Sequence, residues 1–300
     1  MDKAIFKARL GSHHLEKYFD LLAPHLRDSI RLYLTPLHEN ELKIGQTKIG
    51  GRPDLPEGMP WPSETKTETV RESKFLFFSK ENQRITKVPL SFIAQINFSE
   101  VSSVDEEGLL PRAGFLYFFY CTDQEAWGFD IRDKDKFKVI FYEGGVEKLH
   151  RLDFPEDLEA YYRFQPCSIE AKQEFSLPDY NADIYGMFSD EERDTFFEKI
   201  YEDGNMNKLL GYPNTIQGEM ELECELVTNG LFCGDPSGYH DPRAKELEPN
   251  AVHWRLLLQI DSNDECGMMW GDVGRLYFWI KTDDLRNKRF DKTWLILQCC

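Results

Sequence analysis

The stretch GFLYFFYCTD at residues 114–123 recurs as GRLYFWIKTD at residues 274–283, with six of the ten positions identical. At the same offset of 160 residues, KIGGRPD at 48–54 meets KLLGYPN at 208–214, and the two share a lysine, a glycine and a proline. Self-similarity at a fixed offset is the sequence signature of a repeated structural unit. These two matches therefore indicate that one unit occurs twice in the chain.

A third match supports the duplication. FIAQIN at 92–97 resembles LLLQID at 256–261 at an offset of 164 residues, a shift that loops of unequal length produce. These runs and the two aromatic runs are continuously apolar, which is typical of central strands covered on both faces. We therefore predict a β-rich fold with matching strands in the two units.

The repeat also predicts the domain organisation. We expect an α+β fold, with residues 1–300 forming a single domain. Its duplicated β-rich units with flanking helices, at about 12–150 and 185–300, are expected to form one pseudo-twofold globule. An ordered connection at 151–184 is expected to join them, because that segment lacks the Gly/Ser bias of a flexible tether.

Each unit is predicted to begin with a helix. Ser189 and Glu192 form a capping box, and Ser12 precedes an apolar helical face. The members of that face are Leu15, Tyr18, Phe19 and Leu22. Residues 220–227 fit a helix and a strand equally well.

Strands and loops are predicted next. Alternation over 30–34 predicts a half-buried strand, and 137–142 and 294–298 supply one further strand per unit. Residues 63–74 and 235–250 are polar or proline-rich, and they are predicted to be two equivalent long loops.

The charge balance limits the choice of partner. Fifty-three acidic and 36 basic residues give a formal charge of −17. Phosphate backbones and anionic membranes repel such a chain, so we expect neither nucleic acid nor membrane as a partner. The same charge suits a basic protein or a cation.

The cysteines and the N-terminal residues favour a cytoplasmic location. Residues 1–6 lack the apolar stretch of a signal peptide, and no run of 18 apolar residues occurs. The seven cysteines are scattered and contain no C-x-x-C pair. We expect buried thiols in a reducing compartment and no cofactor.

Five ordered motifs resemble the YwqG-like family, from about residue 30 to the C-terminus. That mostly bacterial family implies a duplicated α+β fold and has no established activity or active site. Some members are encoded beside polymorphic toxin genes, which implies an immunity-type role. The motifs are IGGRPDLPEGMPWP (49–62), PLSFIAQIN (89–97), LGYP (210–213), LLQID (257–261) and WGDVGRLYF (270–278).

Two features are candidates for ligand binding. The rigid Pro/Gly segment at 50–62 either presents Trp61 to a partner or uses it as a lid on the core. Gln95 and Gln259 lie in apolar strands, where an unpaired amide is costly. They either face a shared pocket or bind the backbone of their own loops. Trp270 and Asp272, in the second unit, complete the candidate ligand contacts.

An acidic segment offers a metal hypothesis. Residues 261–272 partly fit a calcium loop, although the glycine is displaced and Asp ends the segment where a bidentate Glu is expected. The alternative is a solvated connection between strands. The candidate ligands are Asp261, Asn263, Glu265 and Asp272.

Catalysis has weak support. No G-x-S-x-G, H-E-x-x-H or Cys-His signature occurs, so no catalytic residue is assigned. His240 with Asp235 and Asp241 is the best acid/base group, and a surface histidine is the competing interpretation. We expect a non-catalytic binding protein, with an immunity-type protein that engages a basic partner as the concrete form. The alternative is an enzyme or small-ligand receptor with a cleft between the two units.

Overall fold

The computed structural model describes residues 3–75, 78–180, 182–201 and 206–300. Its strands are β1 (Arg27–Pro36), β2 (Lys48–Ile49), β3 (Asp54–Pro56), β4 (Ser63–Phe75), β5 (Phe78–Pro89), β6 (Ser91–Asn97), β7 (Phe115–Tyr120), β8 (Phe137–Tyr142), β9 (Leu149–Arg151), β10 (Cys167–Ser176), β11 (Lys208–Leu209), β12 (Trp254–Asp261), β13 (Arg275–Lys281) and β14 (Trp294–Gln298). Its α-helices are α1 (Lys3–Ser12), α2 (Phe19–Leu22), α3 (Phe98–Val101), α4 (Asp190–Lys199), α5 (Glu221–Thr228), α6 (Ser237–His240), α7 (Ala244–Leu247) and α8 (Thr282–Arg286). Short 3₁₀ helices lie at Glu16–Tyr18, Ala23–His25, Glu39–Glu41, Ser102–Val104, Ile131–Asp135, Val146–Lys148, Ala160–Tyr162, Asp183–Tyr185, Glu248–His253 and Phe290–Lys292.

Ten of these strands form one antiparallel sheet in the order β14-β13-β12-β11-β1-β10-β2-β6-β7-β8. At its centre β1 and β10 pair along their whole lengths, from Arg27 opposite Ser176 to Pro36 opposite Cys167. β1 is also bonded to β11, and β10 is also bonded to β2. Each central strand therefore has both of its neighbours in the other half of the chain.

The outer strands agree with the sequence prediction. β8 and β14 have the bounds expected from the apolar runs at 137–142 and 294–298. All residues of β7 and the central residues of β13 are buried, as expected for strands covered on both faces. The mixture of helices with an antiparallel sheet makes the protein an α+β fold.

An aromatic core fills the space between β7 and β13. Phe118 meets Phe278 edge to face, with ring centroids 4.8 Å apart. Tyr120 meets Trp270 in the same way at 5.9 Å. Offset and edge-to-face pairs are the favoured geometries of buried aromatic rings. The strands on the two sides of the sheet therefore share one core.

Helices α1 and α4 enclose a second, smaller core. Phe6, Tyr18 and Phe196 are among its buried residues. The predicted capping box begins α4, since Ser189 N donates to Glu192 Oε2 at 2.9 Å and Ser189 Oγ accepts from Glu192 N at 3.3 Å. None of the helices in the described part of the chain combines the length and apolar character needed to cross a bilayer.

The prediction of two equivalent long loops was wrong. Residues 63–75 form β4, which pairs with β5 as a separate hairpin, and residues 237–253 are largely helical. The exposed residues Thr65 and Thr67 lie in β4, because a β-branched side chain suits an extended backbone. Pro236 and Pro249 sit at helix starts, where the missing amide hydrogen costs nothing.

Two local predictions also need correction, and one open alternative is decided. Ser12 ends α1 instead of starting a helix, and its hydroxyl donates to Arg9 O at 2.8 Å. β1 is buried on both faces from Asp28 to Leu32, because neighbours cover the central strand on both sides. The ambiguous segment after Met220 is helix α5. The segment predicted to connect the two units contains β10, a strand that the sequence patterns did not predict.

Candidate functional site

The Pro/Gly segment holds Trp61 against the core. The indole Nε1 donates to the carbonyl of Leu90 at 2.8 Å, and the ring meets Phe119 edge-on at 5.9 Å between centroids. The side chain is half-buried. These contacts fit the interpretation of Trp61 as a lid on the core.

Gln95 and Gln259 make matching hydrogen bonds in the two halves. Gln95 Oε1 accepts from the backbone of Asp54 at 2.8 Å, and Gln259 Oε1 accepts from that of Asn214 at 2.9 Å. Their amide groups donate to the carbonyls of Gln46 and Met206, at 2.9 and 2.6 Å. Both amides therefore bind the loop backbone, as one of the two interpretations predicted.

Trp270 lies in the core, and Asp272 lies at the surface. The Trp270 side chain is 1% exposed and packs against Tyr120 and Phe164. Its indole nitrogen is buried without an acceptor among the described residues. Asp272 is exposed, and its carbonyl accepts from Cys300 N at 3.1 Å.

The four candidate calcium ligands are engaged or exposed. Asp261 Oδ1 lies 2.8 Å from Arg275 Nε, and Asn263 Oδ1 accepts from Cys266 N at 2.9 Å. Glu265 and Asp272 are exposed. Among the residues that the structure describes, no group of three or more His, Cys, Asp or Glu is placed to hold a metal ion. The proposed acid/base partners of His240 also bind elsewhere, Asp235 to Ser237 N and Asp241 to Arg243.

A buried ion cluster stabilises the first Pro/Gly segment. Asp54 binds Lys48 Nζ and Arg151 Nε, each at 2.8 Å. Burial alone raises the pKa of Asp54, but the hydrogen bond from Arg151 and the charge of Lys48 outweigh it, so this pKa lies below its ordinary value. Burial lowers the pKa of Lys48 to about 8, against the pull of Asp54. Every charge in this cluster has a partner, so its role is structural.

A cleft of about 370 Å³ opens beside α5. We call it the aromatic–acidic cleft and define it by Trp127, Phe129, Glu219, Glu223 and Tyr239, all of which line it. Trp127 and Phe129 stack with ring centroids 6.5 Å apart. Glu219 and Tyr239 are exposed at its edge. The cleft therefore combines aromatic faces with carboxylates.

The position of α5 fixes Glu223 in this cleft. On another side of the helix, the buried Glu225 accepts from Trp254 Nε1 at 2.8 Å and pairs with Lys281 Nζ at 2.6 Å. Cys224 is fully buried. These contacts tie α5 to β12 and β13, so Glu223 is presented by a rigid element.

The electrostatics of the cleft favour a cation. Burial raises the pKa of Glu223 to about 7, and Tyr239 Oη lies 3.5 Å from its Oε2. Burial also raises the pKa of Cys233 to about 11, so this thiol is neutral at physiological pH and is a poor nucleophile. A carboxylate beside aromatic faces attracts ammonium and guanidinium groups. A cation that enters the cleft would also give the partly buried Glu223 carboxylate a charge partner.

Sequence patterns did not reveal this cleft. Its residues come from the segment after β7, from α5 and the residues just before it, from α6 and from β14. Only the acidic run at 219–225 was visible in the sequence, as a segment of undecided structure. Trp127 is held beside β14, since Leu297 N donates to Trp127 O at 3.1 Å.

Fold and geometry define an α+β protein built on a ten-stranded antiparallel sheet, with an acidic, aromatic cleft at its surface. The chain belongs to the family described as Domain of unknown function (DUF1963), whose model matches residues 47–299. No curated protein matches the sequence significantly. The family description assigns no activity, which is consistent with the resemblance to YwqG-like proteins.

Proposed function

We propose that the protein binds a basic protein partner and receives a lysine or arginine side chain of that partner in the aromatic–acidic cleft. The observation that carries this proposal is Glu223, a partly buried carboxylate that lines a cleft together with Trp127 and Phe129. An arriving cation gains both a charge partner and an aromatic face.

The overall charge supports the same partner. A formal charge of −17 steers basic proteins toward the surface and repels acidic ones. The concrete form of this function is a cytoplasmic, immunity-type role against a basic toxin, which rests on the resemblance to YwqG-like proteins. Binding alone suffices for it, and no catalytic group is needed.

We also propose that the two halves are copies of one unit related by a pseudo-twofold axis between β1 and β10. Two observations support this proposal. The strands follow equivalent orders outward from β1 and β10, and Gln95 and Gln259 make equivalent hydrogen bonds. The second copy then starts near β10, earlier than residue 185. The aromatic–acidic cleft uses α5 and α6, which replace the β4–β5 hairpin of the first copy. Function would therefore reside in only one copy.

An enzyme or receptor site between the copies has less support. Such a cleft needs polar groups that converge from both glutamine strands. Instead, aromatic rings such as Phe118 and Phe278 fill the space between the two copies. Both glutamines bind the backbone of their own loops. Neither provides a free polar group for a substrate.

The test is a titration with a short lysine-rich peptide, in which binding is measured by tryptophan fluorescence and by calorimetry. We expect saturable binding that tightens as the pH rises through about 7, because Glu223 then loses its proton. Glu223→Gln is expected to weaken binding at least tenfold, about 1.4 kcal/mol, and to remove this pH dependence.

Glu156→Gln is the matched control, because it removes the same charge from an exposed position outside the cleft. It should leave the affinity nearly unchanged. Equal weakening by both variants would reduce the interaction to general charge attraction and contradict the proposed site. A pull-down from native cells with the wild type and Glu223→Gln then identifies the partner.

A further inference from the structure

Lys48 and Lys208 occupy matching places in the sheet. Each lies on a two-residue strand opposite a glutamine, Lys48 opposite Gln95 and Lys208 opposite Gln259. Both lysines are at most 1% exposed. The residue six positions further on differs: it is Asp54 in the first half and Asn214 in the second. The carboxylate that pairs with Lys48 is therefore replaced by an amide in the second half.

The amide leaves Lys208 without an anion of its own. Within the described residues, its ammonium has no hydrogen bond or ion pair, and charges act on it only from a distance. The acidic groups that act on it are engaged, since Glu174 binds Arg31 at 3.0 Å and Asp179 Oδ1 accepts from Tyr180 N at 2.6 Å. A buried charge without a partner is costly. Burial accordingly lowers the pKa of Lys208 to about 7.

A cavity of about 50 Å³ lies at this lysine. Among the described residues, its polar lining includes Arg31, Glu174, Tyr201, Lys208 and Asn214. A water needs about 10–15 Å³ of such space, so a group of a few non-hydrogen atoms fits. Phe6, Leu26, Phe196 and Ile200 form the apolar part of the wall.

We propose that this cavity binds a small monocarboxylate, whose oxygens pair with the Lys208 ammonium as the Asp54 carboxylate pairs with Lys48. An anion bound here gives the Lys208 ammonium the partner that it lacks among the described residues. The apolar wall, to which α1 and α4 contribute, accommodates a short alkyl group. The low dielectric of the site strengthens the ion pair that forms. This site is independent of the aromatic–acidic cleft.

The experiment uses acetate and propionate as probes, titrated against sodium chloride at constant ionic strength. Binding is measured by the shift in Tm and by line broadening of ¹³C-labelled acetate. Saturable stabilisation by acetate or propionate, absent with chloride, is expected. Asn214→Asp is expected to remove the acetate response, because it supplies an internal carboxylate, and to raise the Tm without ligand.

Two lysine variants complete the test. Lys208→Met should weaken acetate binding at least tenfold, whereas Lys172→Met, which removes an exposed lysine, should leave it unchanged. Circular dichroism checks that each variant is folded. No saturable response to either acid in the wild type overturns the proposal. An acetate response that Asn214→Asp and Lys208→Met both retain overturns it equally, since the acid then binds elsewhere.

Discussion

At the scale of single residues, Asp54 illustrates how one buried carboxylate stabilises two cations. It is fully buried and binds both Lys48 and Arg151. Removing one partner of a buried pair typically costs about 3–5 kcal/mol, because an uncompensated charge stays behind. Asp54→Asn should therefore lower the free energy of unfolding by about this amount in urea denaturation. Asp153→Asn, at a 91% exposed side chain, should change it by less than about 0.5 kcal/mol. Similar losses for both variants would contradict a special role for the cluster.

Lys208 should make stability depend on pH in the alkaline range. Its pKa is about 7 in the folded chain, against an ordinary value of 10.5. Between these two values the unfolded chain holds a proton that the folded chain has released, so the free energy of unfolding rises with pH. The charges that act on this lysine are those of Glu174, Arg31, Arg275 and Asp179.

Lys208→Met removes this titration while filling similar space. The difference in unfolding free energy between the wild type and Lys208→Met should therefore change steadily from pH 7 to pH 10 in favour of the wild type. Other titrating groups, including Lys48, are common to both proteins and cancel in the difference. A difference that stays constant over this range would show that Lys208 keeps its proton.

At the scale of elements, the turn after β2 depends on a glycine. Gly50 has φ +68°, and a Cβ there would lie 2.1 Å from the carbonyl oxygen of Gln165. Gly58 has φ +82°, but a Cβ added there would lie in open space. Gly58→Ala should cost about 1–2 kcal/mol from the left-handed backbone alone. Gly50→Ala should cost about 1–3 kcal/mol more, because the chain must also shift. Equal losses in urea denaturation would mean that the loop relaxes freely.

Sequence patterns predicted the strands that have strong local signals. β7, β8, β13 and β14 are aromatic or apolar runs, and the Ser189 capping box marks α4 through local chemistry alone. β10 escaped prediction because its exposed and half-buried residues show no clear apolar pattern. Its place in the sheet comes from pairing with β1, a contact between residues about 140 positions apart.

The same distinction applies to the binding sites. Gln95 and Gln259 could be recognised because a polar residue in an apolar strand requires a partner. The aromatic–acidic cleft could not, since Trp127 and Glu223 are distant in sequence and line one cleft only in the folded chain. The exchange of Asp54 for Asn214 was visible in the repeat, but its consequence for Lys208 required the cavity to be seen.

At the scale of the whole molecule, the sheet order predicts that the two halves fold as one unit. β1 has β10 and β11 as neighbours, and β10 has β1 and β2. A chain cut after residue 157 thus separates each central strand from both of its partners. Fragments 1–157 and 158–300 should each lack a cooperative unfolding transition and native near-UV circular dichroism, because a strand without neighbours leaves its backbone groups unpaired. Mixed in equal amounts, they should recover the spectrum of the intact protein. A fragment that unfolds cooperatively by itself would show that one half carries a complete core.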